Sequence, residues 1–99
     1  MLLSLTTELQ DLAVLDALGE RVGRIHDVLM DAQSWTVKAI VVRLDRKPAD
    51  RLGLHSLLGH TDLPLPVLHV HAVSDVVLLR DTLADLVEQH GRQASAPLH

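Results

Sequence analysis

A chain of 99 residues, 47% apolar and 22% charged, suits one domain built around one core. Its net charge of −4 opposes non-specific nucleic-acid binding, and the lack of cysteine excludes disulfides, thiolate catalysis and cysteine metal sites. No run approaches the roughly 18 apolar residues of a membrane span, and the N-terminus lacks a basic leader, so no membrane insertion and a cytoplasmic location are expected.

With no Phe, no Tyr and the single Trp35, Leu and Val must fill the core. Leu2, Leu5 and Leu9 fall at helical spacing, and Thr6 or Thr7 is placed to cap a short turn. The apolar run 12–15, the turn residues 16–20 and the long strand 21–31 together predict a β-hairpin. Val22 and Ile25 break the alternation by standing three apart, which predicts a β-bulge at Gly23 and Arg24. Residues 31–34 turn the chain into a second strand, 36–44. Its centre, 39–42, is apolar at both parities, so its second face needs a helix or another subunit as cover. The charged stretch 45–51, with Pro48, is expected as an exposed connection. Residues 54–60 allow one helical turn before Pro64, Leu65 and Pro66 stop it. Strands are expected at 67–72 and 76–80, joined tightly around Ser74 and Asp75. A helix follows from about 82 to 90, with Asp81 or Thr82 as its cap and Leu83, Leu86, Val87 and His90 on one face. Gly91 stands at the C-cap position. Residues 1–91 thus form one domain with a flexible tail at 92–99. The predicted class is mostly β: a small, highly bent antiparallel barrel of about five strands with a C-terminal helix.

The stretch from Val14 to Asp31 resembles the opening of a PRC-barrel domain. In that family an apolar pair and an Asp lead to a turn ending in Gly, followed by an apolar residue, Gly, a basic residue and a further apolar residue. Val22, Gly23, Arg24, Ile25, Asp27 and Asp31 hold the places of the family's hairpin here. The apolar strand 37–44, the proline-led 65–70 and the short 76–79 are similar to later family strands, so the likeness spans roughly residues 5–80. One departure is Ser34-Trp35, where the family's turn usually carries Gly. The resemblance implies an adaptor that docks on protein surfaces, as in the photosynthetic reaction-centre H subunit and the C-terminal domain of the ribosome maturation factor RimM. It brings no catalytic residues.

Gly19, Gly23, Asp27 and Asp31 are taken as structural motif residues. Asp27 and Asp31, four apart, could hold a cation or move a proton. The structural alternative has Asp27 accepting backbone amides at the bulge and Asp31 opening the turn. His69 and His71, two apart on an expected strand, would point the same way and are candidate zinc or nickel ligands. Such a site needs further ligands, for which His55 and His60 are available, and the alternative is a solvated face. Arg43, Arg46, Lys47 and Arg51 form a basic cluster broken by Asp45 and Asp50, which suits either RNA phosphates or a solvated loop. No aromatic lies near enough in sequence to stack bases. Trp35 is a partner anchor if exposed and a barrel plug if buried. Neither a Gly-x-Ser-x-Gly elbow nor a glycine-rich phosphate loop is present, so neither an enzyme nor a cofactor is expected.

These features predict a non-enzymatic adaptor that works as a homodimer and docks an unidentified protein partner. Trp35, Val41, Leu54, Leu57 and Leu58 are its candidate partner-binding residues, with Leu52 close by. The alternatives are a ribosome- or RNA-associated maturation factor and a histidine-based metal-binding protein. Protonating all seven histidines would take the formal charge from −4 to +3, so self-association or solubility is expected to change between about pH 7 and 5.

Overall fold

Val, Ile and Leu at alternating positions make strands wherever turn residues bracket them, and six such strands form one sheet. A computed structural model describes residues 9–53 and 61–90. The strands are β1 (Ala13–Leu15), β2 (Arg21–Asp31), β3 (Thr36–Leu44), β4 (Thr61–Pro66), β5 (Val70–Val73) and β6 (Val76–Leu79). Two helices, α1 (Arg46–Arg51) and α2 (Leu83–His90), and a single 3-10 turn at Val67–His69 complete the described chain.

The sheet order is β4-β3-β2-β1-β6-β5. All pairings are antiparallel except β1 with β6, which run parallel. Two parts of the expected architecture are therefore corrected. The sheet is mixed and has six strands, and among the described residues β4 and β5 end it rather than closing a barrel. Three-residue β1 takes β2 on one side and leaves its other edge for a strand returning from far along the chain.

The hairpin of β1 and β2 forms as its turn residues require. Gly19 takes φ +79°, a conformation that costs a residue with a Cβ but not glycine. Val22 and Ile25 are both buried, as their spacing demands, but the extra residue opposite β1 is Val22 rather than Gly23 or Arg24. Gly23 has another reason to be glycine. A Cβ there would overlap the carbonyl oxygen of Arg43, since β3 passes against its backbone. Further irregularities against β3 leave His26 and Lys38 unpaired in the ladder and bend β2 again.

The stretch 45–51 is not wholly an exposed connection: residues 46–51 form α1, with Pro48 and Ala49 buried. Pro48 is tolerated because it lies in the first turn, where an N–H has no intrahelical partner. Pro64 and Pro66 lie on β4, and the helical turn they are expected to end, 54–60, lies outside the described residues. The two prolines alternate with buried Leu63 and Leu65 on this end strand of the sheet, where a missing N–H costs little. The strand expected at 67–72 is shortened by the 3-10 turn, and only Val70–Val73 pairs with β6.

One core cluster joins both halves of the sheet to α2 through Val14, Ile25, Val42, Leu63, Val77 and Leu86. Helix α2 begins at Thr82, whose Oγ1 accepts from Asp85 N at 3.2 Å, and buries Leu83 and Leu86. No helix among the described residues is long and apolar enough to cross a membrane. The expectations for 1–8, 54–60 and 91–99, including Leu54, Leu57 and Leu58, lie outside the described residues.

Candidate docking surface

The surface begins at the turn joining β2 to β3. Asp31 opens it: Oδ1 accepts from Gln33 N at 2.8 Å and Ser34 N at 3.4 Å, and its carbonyl accepts from Trp35 N at 2.8 Å. To close that turn Trp35 adopts φ +57°, the left-handed region where glycine is at ease and a bulky residue is strained. The indole is 78% exposed, so Trp35 plugs nothing.

Behind the turn, strand register sets apolar residues abreast. Leu29 pairs with Ala39, which pairs with Pro66, and Val67 and Leu68 follow in the 3-10 turn. Leu29, Met30, Val67 and Leu68 are all exposed, Leu68 at 66%. Val67 also lines a cavity of about 180 Å³ on the inner side of the sheet, walled by Val28, Val37 and Val70 with Ile25, Ile40 and Val77 of the core. A space of this size and chemistry suits an apolar group better than water.

Val41 belongs to the same outer parity. Ile40, Val42 and Leu44 are buried in the core with Leu83 and Leu86 of α2, so the helix lies on the inner side. Val41 and Ala39 stand outside that cluster, and Val41 is half-buried between Asp27 and Pro64 on the flanking strands. Asp27 accepts from Val28 N at 2.8 Å through its own Oδ1.

The basic cluster is dispersed into pairs. Arg43 donates to both carboxylate oxygens of Asp62, at 2.8 and 3.0 Å, and to His26 Nε2 at 3.1 Å. Its pKa is raised above the ordinary arginine value, first by the hydrogen bond to Asp62, against a smaller opposing effect of burial, with the Asp62 charge adding to the rise. Arg46 lies 3.9 Å from Asp50, and Arg51 3.9 Å from Glu20.

The histidines do not sit as their spacing suggested. The 3-10 turn intervenes, so His69 is buried while His71 is exposed and accepts from Arg80 Nη1 at 3.4 Å. The partners of His69 are Asp81 and His90, distant in sequence. Among the described residues no group of three or more His, Asp or Glu is arranged to hold a metal ion. Asp16 was read only as a turn residue. It is buried, accepting from Leu18 N at 2.9 Å and Glu20 N at 3.1 Å through Oδ1, and from Leu83 N at 3.4 Å through Oδ2. Asp-x-x-Gly marks the turn, but nothing local marks the bond to α2.

The family model for the PRC-barrel domain matches residues 3–86. The chain belongs to the PRC-barrel family. No curated protein matches it. Within this PRC-barrel domain Gly19, Gly23 and Asp31 shape the hairpins, whereas Trp35 projects outward.

Proposed function

We propose that this PRC-barrel domain is a non-enzymatic adaptor of the cytoplasm, working as a homodimer and docking a further protein through the outer face around Trp35. The observation that carries this reading is Trp35 itself. A left-handed φ at a non-glycine residue costs about 1–2 kcal/mol, a strain that keeps an exposed indole at the hairpin tip. Trp is also the residue type most enriched at interaction hot spots. Exposed Leu29 and half-buried Val41 share the outer parity of the sheet behind it.

Solution mass by light scattering tests the homodimer. The wild type is expected as a dimer at pH 7.5, and Val41→Asp, on the outer parity, as a soluble monomer. If Val41→Asp is insoluble, or the wild type is monomeric at all concentrations, the dimer reading fails. The ribosome-associated alternative draws less support, because Arg43 is held by Asp62 and the exposed Arg46 and Arg51 each have a carboxylate nearby that offsets their charge. Co-sedimentation with ribosomal particles in a salt gradient separates the two.

A further inference from the structure

At the far end of α2, His90 meets His69 with the two Nε2 atoms 2.9 Å apart. The rings cross at 74° with centroids 4.9 Å apart, so the two Nε2 atoms face each other nearly head-on and both rings must turn for their lone pairs to meet at an ion. The Nδ1 of His69 lies 2.8 Å from Asp81 Oδ2. A carboxylate accepts only, so His69 donates there and its Nε2 carries the lone pair turned toward His90. A carboxylate behind an imidazole, holding it with its free lone pair outward, is the arrangement that orients histidine toward a metal ion.

We propose that His69 and His90 form a two-imidazole clip for a borderline divalent transition-metal ion such as zinc, with Asp81 as the positioning residue. Two nitrogens on a tetrahedral zinc stand roughly 3.3 Å apart, so the present 2.9 Å gap must widen by about 0.4 Å. His90 is the last residue of α2 and only half-buried, which lets its ring take that shift and lets water fill the remaining coordination positions. Today one Nε2 must donate to the other. With a neutral His69 donating through Nδ1, that donor is His90, which changes to its Nδ1–H tautomer when the ion enters, without gain or loss of a proton. The ion would tie the end of α2 to the 3-10 turn before β5, and it requires neither the dimer nor the docking face.

The test is thermal unfolding of the full chain, cleared of metal with a chelator and then given zinc chloride. An ion that binds only the folded chain raises the melting temperature, here by about 5 °C or more at roughly 100 times the dissociation constant. His90→Asn is expected to cut the shift to about 1 °C or less, and His71→Asn to leave it intact. Asp81→Asn is expected to weaken zinc about tenfold. Should His90→Asn fail to fold, NMR of the wild-type imidazole C–H signals decides, with those of His69 and His90 moving first as zinc is added. No zinc-dependent shift, a shift retained in His90→Asn, or earlier movement at other histidines overturns the clip. Unchanged affinity in Asp81→Asn overturns the role given to Asp81.

Discussion

Gly23 is held by the close approach of two backbones, and Asp16 by three backbone amides. Both outcomes can be sized. Gly23→Ala must push β3 away from the Arg43 carbonyl, and is expected to cost about 3 kcal/mol, the upper range for overpacking. Asp16→Ala removes the acceptor for Leu18, Glu20 and Leu83 in a buried setting, and is expected to cost about 2–4 kcal/mol. Urea unfolding midpoints at constant slope measure both. If either variant lies within about 0.5 kcal/mol of wild type, its assigned role is wrong. Arg43→Ala offers a contrast. Its bond to Asp62 is bidentate but reaches solvent, so a loss of only about 1 kcal/mol is expected by the same assay. None of these three contacts was readable with its partner. Gly23 was legible as a special glycine and Asp16 as a turn residue, but their partners lie on β3 and α2, which no local pattern points to.

At the scale of elements, the turn between β2 and β3 separates stability from recognition. Trp35→Gly relieves a left-handed strain of about 1–2 kcal/mol and gives back about 0.5–1 kcal/mol in unfolded-chain entropy. The net expectation is a chain more stable by roughly 0.5–1 kcal/mol, melting a few degrees higher by circular dichroism. The same variant is expected to lose the docking surface and to appear as a monomer by light scattering. A variant that is less stable yet still dimeric would sink the reading of Trp35 as a strained anchor. Other elements show where local patterns mislead. Charge and Pro48 suggest an exposed connection at 45–51, yet Pro48 and Ala49 of α1 are buried and Ala49 joins the core. The 3-10 turn, unmarked in sequence, separates His69 from His71.

For the whole molecule, charge is the quantity that changes with pH. An ordinary imidazole titrates near pH 6.5, and protonating all seven histidines takes the formal charge from −4 through zero to +3. His26 and His71 each accept a hydrogen bond from an arginine, which a protonated nitrogen cannot do. Protonation would set a second cation beside Arg43 and beside Arg80, with Asp62 3.9 Å from His26 as partial compensation. Self-association or solubility is therefore expected to change between about pH 7 and 5. A sedimentation profile identical at both values would remove that expectation.

By itself the sequence determined the elements whose causes are local. Alternating Val, Ile and Leu produced β2 and β3, Asp16 to Gly19 produced the first turn, Val22 and Ile25 required a bulge, and the spacing of Leu83, Leu86 and Val87 produced α2. The hairpin pattern was also enough to suggest the family. Tertiary structure decided what depends on distant partners. These are the parallel seat of β6 beside β1, the bond from Asp16 to Leu83 across 67 residues, the convergence of His69, Asp81 and His90, and the outward turn of Val41. Periodicity and turn chemistry act over a few residues, whereas pairing across a sheet is selected by the burial the whole chain achieves after closing its long loops, and no single segment carries that sum.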